Sequence, residues 1–488
     1  MDSQDMTRPA GHSQRGHQAQ VLLITSLAAF MAFLDMTIVN IAFPSIARSF
    51  PGTSLTDLSW VLNAYNIVFA AFLVPVGRFA DLVGRKRMFQ LGTICFIVGS
   101  VACALAPSAD VLIGSRVVQA AGAATLVPAS LALLLPEFPF SRRSTVIGLW
   151  GGVAALASGI GPSLGGFLIS VASWRLVFLV NVPVGIVAVT AGHWMLTESR
   201  DPYARRMPDV VGAVVLAAAV GLLALGIVRG GQWGWWSAPT LVSFAGAVVL
   251  GVLFVFRSAD TQRVPVVELS LLRMRPFAMA NLGSLLFGAA FYGAALCNVL
   301  FLTSVWHYSL LRTGLAVTPS PLTAVVFGVL GGRLADRFGH RVVSVPGCLL
   351  LIAGVLWYVA AIGVQPAFLA HWLVGSVLFG AGVGLAFPVL GSAAATALPM
   401  NRFATGTAVN SAARQIGAVL GVALLVAVIG TPSAAGALSA FRHGWVLAAI
   451  AAAAAIPPSL AMGRRIAEQP GTSPDPGEVI GTGQPAGP

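Results

Sequence analysis

Charged residues are scarce in this sequence. Asp, Glu, Lys and Arg make up 9% of its 488 residues, whereas they make up about 25% of an average soluble domain. In their place, apolar runs of about 20 residues, the length that crosses a bilayer as a helix, recur between residues 20 and 463. The mean hydropathy is accordingly high, at +0.87. This composition excludes a soluble globular protein.

The alternation of polar and apolar residues with period two, which is typical of membrane β-barrels, is also absent. Helices satisfy their own backbone hydrogen bonds in lipid, so long apolar runs are expected to be helical. The sequence therefore predicts an all-α integral membrane protein.

Lysine is almost absent, and histidine forms no cluster. Lys86 is the only lysine, and Arg87 follows it, so no G-x-x-x-x-G-K-[ST] phosphate loop exists. The histidines are scattered, without an H-E-x-x-H pair or a histidine–acid cluster. These absences argue against an ATP-driven pump, a metal site and an enzyme. We expect no cofactor, and energy from an ion gradient.

Four cysteines are present, Cys95, Cys103, Cys297 and Cys348, all within predicted spans. The first two share one helix and are separated by about 12 Å along its axis. That distance is too long for a disulfide. We interpret the cysteines as packing residues.

We predict fourteen membrane spans. Their approximate ranges are 20–42, 58–79, 88–106, 111–135, 144–170, 174–196, 209–228, 238–257, 277–303, 312–331, 341–361, 367–390, 405–430 and 441–463. The predicted regions are a cytoplasmic N-terminal tail (1–19), an N-terminal six-helix bundle (20–196), an inserted pair of helices with loops (197–262), a C-terminal six-helix bundle (263–463) and a disordered cytoplasmic C-terminal tail (464–488).

The basic residues predict the orientation. Most of the 28 Lys and Arg fall on the side of the membrane that holds both termini, which the positive-inside rule makes cytoplasmic. The net charge of +12 is then explained by topology and attraction to anionic lipid. We expect a multi-pass protein of the cell membrane that contacts lipid, binds no nucleic acid and acts as a monomer.

A charged segment occurs twice. GRFADLVGRKRMF (77–89) and GRLADRFGHRVVS (332–344) each lie between the second and third spans of a six-span block. The duplication indicates two related halves. The two segments are farther apart than six spans require, and the predicted pair of spans within 197–262 accounts for the excess.

The chemistry of the repeated segment suggests a gate on the cytoplasmic side. Asp81 and Asp336 occupy the same place in the two copies, and Asp81 could pair with Arg85 or Arg87. Such pairs, broken and remade, could latch a rocking transporter. The alternative is positive-inside anchoring with incidental pairs. Four glycines allow close helix contact and a tight turn: Gly77, Gly84, Gly332 and Gly339.

Six motifs carry a family resemblance. They are LDMTIVNIAFPSI (34–46), GRFADLVGRKR (77–87), RVVQAAGAA (116–124), SGIGPSLGGFL (158–168), WRLVFLVNVPVG (174–185) and NSAARQIGAVLG (410–421). Together they resemble the major facilitator superfamily, in particular its 14-span drug:proton antiporter branch. The resemblance covers about residues 20 to 463 and implies two six-helix bundles plus two inserted helices. It also implies export by alternating access.

Asp35 is the only acid that we place within a span. Charged groups there are costly and usually functional. Because burial penalises the charged form of a carboxylate, Asp35 could bind and release a proton as its surroundings change. Arg116 enters the fourth span to a similar depth and could pair with it, if the two helices are neighbours as the family fold implies. The alternatives are a permanent structural pair, or an Arg116 that reaches the outer surface.

The fifth span is rich in glycine. Gly159, Gly161, Gly165 and Gly166 leave surfaces where another helix can approach closely, and Pro162 can kink the helix. The resemblance places a hinge and seal between the two halves at this motif. Plain helix packing is the alternative.

Polar residues within the spans are candidates for a substrate cavity. Arg414 is a second intramembrane cation, and no acid of the second half lies at its depth. A role in substrate binding and a structural role are equally open for it. The other candidates are Asn63, Tyr65, Asn66, Gln119, Tyr292, Asn298 and Asn410.

The sequence thus predicts a proton-coupled efflux antiporter that exports lipophilic or amphipathic drugs from the cytoplasm or the inner leaflet. Two alternatives stay open. One is an exporter of a lipid or a secreted metabolite, which would confer self-resistance, and the other is a proton-coupled uptake symporter.

Overall fold

The computed structural model of the chain describes residues 10–200, 207, 209–259, 265, 268–398, 403–430 and 436–462. All regular structure in these residues is helical. The predicted disordered tail, residues 464–488, lies outside the described residues, as do residues 1–9. Residues 10–19, which we assigned to the N-terminal tail, form the beginning of the first helix.

Fourteen long helices carry the fold in the described part of the chain. In the first half they are α1 (Ala10–Ser49), α2 (Trp60–Val83), α3 (Arg85–Leu105), α4 (Ala109–Leu134), α5 (Phe140–Val171) and α6 (Asn181–Met195). Next come α7 (Val210–Trp233) and α8 (Ala238–Ser258). The second half has α9 (Arg275–Ser304), α10 (Pro319–Phe338), α11 (His340–Ala361), α12 (Leu373–Thr396), α13 (Phe403–Ile429) and α14 (Ala437–Ala454).

Short helical segments precede or follow several of these helices. They are Leu55–Leu58, Leu135–Glu137, Leu176–Leu179, Leu269–Leu272, Leu310–Val317, Phe368–Trp372 and Ile456–Ala461.

Thirteen helices in the described residues are long and apolar enough to cross a membrane. They correspond to thirteen of the predicted spans. The remaining prediction, 144–170, falls within α5, a helix of 32 residues. The prediction of an all-α membrane protein is confirmed.

The repeated segment makes the same backbone turn in both halves. Gly84 separates α2 from α3 with φ +132°, and Gly339 separates α10 from α11 with φ +92°. Residues with a Cβ rarely adopt such angles, whereas glycine does so at little cost. Each glycine therefore ends one helix and lets the next begin at once.

Two bundles form from these helices. In the first, α3 packs on α4, α2 on α4, α1 on α5 and α3 on α6. In the second, α9 packs on α13, α10 and α11 on α12, and α11 on α14. The bundles meet along two junctions. One is α2 against α13, and the other is α5 against α10 and the segment before it.

The inserted helices α7 and α8 pack against each other, and α7 also contacts α2 and α13. One end of α7 is tied to the α1–α2 connection, because Arg229 forms an ion pair with Asp57 and Gln232 Nε2 donates to Thr56 Oγ1 at 3.2 Å. The inserted pair therefore lies along the α2/α13 junction.

The second junction is closed where α5 ends, which we call the α5–α6 end of the molecule. A Cβ on Gly166 would lie 2.6 Å from the backbone oxygen of Leu310, and one on Gly314 would lie 2.5 Å from that of Pro162. The Ser163 hydroxyl is hydrogen-bonded to the hydroxyl of Thr318, the residue that follows the Leu310–Val317 segment. The bundles thus touch backbone to backbone at this end.

This contact generates a prediction. Replacing Gly166 by Ala is expected to force the bundles apart at the α5–α6 end, because the backbone of Leu310 cannot yield as a flexible side chain would. Electron–electron distance measurements between spin labels at Ser170 and Arg312, which are both exposed, should show a longer separation. Gly114→Ala is the matched control, since nothing lies within 4 Å of its added Cβ. An unchanged distance in Gly166→Ala would contradict the assignment.

Candidate functional site

The carboxylate of Asp35 lies at the centre of the first bundle and is completely buried. Arg116 on α4 donates from Nη1 to Oδ2 at 2.5 Å. Gln119, one turn further along α4, donates from Nε2 to Oδ1 at 2.9 Å. Asn181 at the start of α6 donates to the same oxygen at 3.1 Å. The structure therefore brings Asp35, Arg116 and Gln119 into one network.

A second layer orients the two amides. Ser100 Oγ on α3 accepts hydrogen bonds from Gln119 Nε2 and Asn181 Nδ2, both at 3.0 Å, and donates to the backbone oxygen of Phe178 at 2.8 Å. Gln119 Oε1 accepts from Arg116 Nη1 at 2.7 Å, which fixes the direction of that amide. Four helices thus supply the network, and Ser100 holds the amide nitrogens toward the carboxylate.

Arg116 is held inside the bundle and does not reach the protein surface. Its side chain is almost fully buried, Nε donates to the Val61 backbone oxygen at 3.2 Å, and Cζ lies 4.0 Å from the centre of the Tyr65 ring. The ring is stacked in turn on Phe69. A guanidinium over an aromatic face is stabilised by the ring's electrons. The arginine is therefore placed by α2 as well as by its acid.

The network supplies the Asp35 carboxylate with an opposite charge and hydrogen-bond donors. A carboxylate with one ion pair and two further donors is well compensated for its lost hydration. Removing either charge alone would leave the other buried and uncompensated, at a cost of about 3–5 kcal/mol. The two buried charges therefore depend on each other.

Polar groups on α2 lie next to this network without satisfied hydrogen bonds. The Tyr65 hydroxyl and both amide atoms of Asn63 are buried and without a partner in the described structure. Asn66 is also buried. The Tyr65 ring lies against the guanidinium of Arg116, which is the ion-pair partner of Asp35. Unmet capacity of this kind is rare in protein interiors, and it lies on α2, the helix of the first bundle that packs on α13.

The second bundle places its predicted residues differently. Arg414 lies on α13 beside the Phe387 ring, with 5.5 Å from Cζ to the ring centre. Asn410, one turn earlier, donates to Ser284 Oγ at 2.7 Å. Asn298, predicted as a cavity residue, accepts the Trp445 indole N–H at 2.8 Å, so its carbonyl is engaged in packing.

The first copy of the repeated segment is tied to its own bundle. Asp81 accepts hydrogen bonds from Arg85 at 2.9 Å, and Arg85 also donates to the Ala132 backbone oxygen at 3.4 Å. Gly77 packs close to Pro128: a Cβ added to Gly77 would lie 3.3 Å from Cβ of Pro128. The segment is therefore held against the neighbouring helix α4 by a hydrogen bond and by close packing.

Glu198 is a functional candidate that the sequence analysis missed. Its carboxylate oxygens accept the backbone N–H groups of Lys86 at 3.0 Å and Arg87 at 3.2 Å, at the start of α3. The Arg85 N–H is bound by the next residue, Ser199, at 3.0 Å. Helix N-termini favour negative charge. Glu198 thus fastens the α2–α3 turn to the segment that follows α6. In the sequence, the only sign of this role is the position of Glu198 just after the sixth predicted span.

The second copy keeps the turn but has different surroundings. Added Cβ atoms would meet nothing within 4 Å at Gly332 and Gly339, whereas at Gly84 one would meet Glu198 at 2.7 Å. Asp336 is exposed. The two copies therefore share backbone geometry and differ in the contacts around it.

The glycine motif of α5 faces two neighbours. Gly161 and Gly165 fit against Thr37 and Ile38 on α1, where added Cβ atoms would lie 2.2 and 2.7 Å from the nearest side-chain atoms. A Cβ added to Gly159 would lie 3.6 Å from Cβ of Pro321 on α10. The motif thus joins the helix that carries Asp35 to the junction between the bundles.

Two helical bundles with unsatisfied polar groups where they meet, and a buried ion pair beside them, define a multi-pass membrane carrier. The chain belongs to the major facilitator superfamily, whose family model matches residues 25–422 and 280–482. It embeds in the membrane and acts on a small molecule, as the family does. The predicted family is confirmed.

Named relatives support the same placement. The chain is 35% identical over 413 residues to the multidrug resistance protein Stp of Mycobacterium tuberculosis, covering 84% of this chain and 76% of that one. It is 34% identical over 418 residues to the methylenomycin A resistance protein of Streptomyces coelicolor, covering 84% and 86%. A solved structure of a POT family transporter matches 92% of this chain and 97% of its own with a TM-score of 0.67 at 15% identity, which shows the shared fold.

The contacts of Glu198 generate a prediction. Glu198→Ala is expected to destabilise the folded protein by about 1 kcal/mol, as the loss of a helix cap does. Denaturant unfolding of the purified protein in detergent would measure it. Arg87→Ala removes only the exposed side-chain ion pair, at 3.8 Å, and is expected to have little effect. Equal losses in the two variants would show that the ion pair, and not the cap, matters.

Proposed function

We propose that this protein is a proton-coupled efflux antiporter that exports lipophilic or amphipathic drugs by alternating access. The observation that carries the proposal is the Asp35–Arg116 pair, a buried acid whose only charged partner among the described residues is one arginine. Relatives named for multidrug resistance and for methylenomycin A resistance support export as the direction.

Protonation and access are linked through Arg116 in this proposal. With Arg116 bound, Asp35 is stabilised as the carboxylate. When a change in bundle position separates them, the isolated acid is stable only in its neutral form and takes up a proton. Return of Arg116 expels that proton. Alternating access makes uptake occur from outside and release occur to the cytoplasm.

The distribution of basic residues supports the orientation. The positive-inside rule places the α2–α3 turn and both termini in the cytoplasm of a cell whose plasma or inner membrane holds the protein. The closed α5–α6 end is then the outer end, and cargo enters from the cytoplasm or the inner leaflet. Asp81, Arg85 and Glu198 lie at the cytoplasmic end, where they fasten the α2–α3 turn to its own bundle; the proposed gate acts by breaking and remaking these contacts.

The proton gradient is a sufficient energy source. One proton that crosses about 150 mV releases roughly 3.5 kcal/mol, at about 2.3 kcal/mol per 100 mV. Because each 1.4 kcal/mol is about a factor of ten, that is roughly a several-hundred-fold gradient of an uncharged substrate. The proposal includes no cofactor, and the protein transports its substrate as a monomer in lipid without altering it chemically.

A second candidate is export of a secreted metabolite for self-resistance. The observation that favours it is the similarity to a methylenomycin A resistance protein from Streptomyces coelicolor, and the same apolar bundle junction would suit either cargo. Uptake symport stays the less favoured alternative, since the relatives are named for resistance.

The coupling role of Asp35 generates a prediction. In vesicles with an imposed proton gradient and a lumenal pH dye, adding drugs or dyes is expected to trigger proton movement with the parent protein. Asp35→Asn should abolish that movement. Because the substitution also leaves Arg116 uncompensated, it should destabilise the fold by about 3–5 kcal/mol.

The double variant Asp35→Asn with Arg116→Gln separates the two effects. It removes both charges, so it should restore stability, measured by thermal unfolding, without restoring proton movement. Substrate-triggered proton movement in a stable double variant would refute Asp35 as the coupling site. Substrate binding without proton movement in the parent protein would point to another coupling ion.

A further inference from the structure

Arg414 is a charged group that the proposed proton chemistry leaves unused. In the part of the chain that the structure describes, no carboxylate lies within ion-pair distance of it, and its one side-chain hydrogen bond goes to Ser411 Oγ at 3.1 Å. A guanidinium offers five N–H donors and stays charged in proteins. Most of its bonding capacity is therefore open.

The side chain of Arg414 faces the interior of the protein. None of residues 406–427 of α13 is exposed, because the helix is surrounded by α2, α7, α9 and α12. Arg414 itself is partly accessible, so it borders an open space inside the protein. The neighbouring Gln415 donates from Nε2 to Met36 Sδ on α1 at 3.8 Å, so α13 contacts the helix that carries Asp35 next to the position of that acid.

The charges of this region do not balance. Asp35 is already neutralised by Arg116 at 2.5 Å, so Arg414 leaves one net positive charge among the three, and two when Asp35 is protonated. A charge that is largely withdrawn from water and has no partner is unfavourable. The interior therefore repels a cationic cargo and attracts an anionic one.

Aromatic rings border the same arginine. Phe387 lies under the guanidinium, and its ring centre is 5.2 Å from that of Phe291. The centre of the Tyr292 ring is 6.4 Å from that of Phe387, and no described residue is hydrogen-bonded to its hydroxyl. A further aromatic ring can pack against such rings in the edge-to-face or offset-stacked geometry that aromatic pairs prefer.

We propose that Arg414, Tyr292 and Phe387 form a binding subsite for an aromatic acid. The carboxylate or phenolate of the cargo binds the guanidinium fork with two parallel hydrogen bonds, the Tyr292 hydroxyl donates a third, and the aromatic ring of the cargo packs on Phe387. This inference rests on the proposed function, in that it takes the exported molecule to occupy the space between the bundles.

The test compares an acid with its uncharged counterpart. Binding of 2-naphthoate and of 2-naphthamide to purified protein in nanodiscs, without any proton gradient, would be measured by calorimetry. We expect the parent protein to bind the acid at least about tenfold more tightly than the amide, as one charge-assisted pair provides. Arg414→Gln should reduce the affinity for the acid by about that factor and change the affinity for the amide by no more than about twofold.

Two further variants serve as controls. Arg414→Lys keeps the charge without the planar fork, so it should retain part of the preference for the acid. Arg312→Gln removes an exposed arginine that lies over Tyr308 at the α5–α6 end, and should change neither affinity. If Arg414 had a structural role, its substitution would instead lower the affinities for the acid and the amide together, which would overturn the proposal.

Other outcomes are also decisive. Equal affinity for acid and amide in the parent protein, or binding of neutral and cationic dyes but of no aromatic acid, would overturn the subsite. Stronger, Arg414-dependent binding of short-chain phosphatidylglycerol would assign the arginine to an anionic lipid and overturn the aromatic assignment. Because binding needs no coupling, the subsite and the proton-coupled function fail separately: the Asp35 variants test only the latter.

Discussion

The buried ion pair between Asp35 and Arg116 is the interaction on which the first bundle depends. Its charges are tolerable only because Gln119, Asn181 and Ser100 complete their hydrogen bonds, and those side chains come from α3, α4 and α6. A change in one helix therefore disturbs partners on the others. The network is sensitive to bundle geometry for this reason, which is what a coupling site requires.

The two halves share a backbone plan and differ in charge. The first half encloses an acid and an arginine that neutralise each other, whereas α13 carries Arg414 without an acid. The same difference appears at the repeated segment, where Gly84 is covered by Glu198 and Gly339 faces open space. In the proposed mechanism the first bundle handles the proton and the second bundle handles the cargo. The α2/α13 junction, with α7 alongside, connects them.

Much of this arrangement could be predicted because charge is so rare in the chain. A lone acid and two arginines within spans are conspicuous, so Asp35, Arg116 and Arg414 were selected from hydropathy alone. Ser100 and Asn181 were not, because uncharged polar residues are common in membrane helices and gain importance only through contacts across helices. Glu198 lies in a loop, where acids are ordinary, and its hydrogen bonds to the start of α3 depend on the folded path of the chain.

The most direct test of the account is the protonation of Asp35 itself. Infrared difference spectra of the parent protein, minus those of the stable double variant, would isolate the Asp35 carboxyl band as pH is lowered and as a dye without a carboxyl group is added. The account predicts an ionised Asp35 while its pair with Arg116 is intact, and a protonated-acid band that appears as the pH is lowered and the pair separates, with an intensity that changes when the dye binds. An Asp35 that stays ionised at every pH at which the protein transports would contradict it.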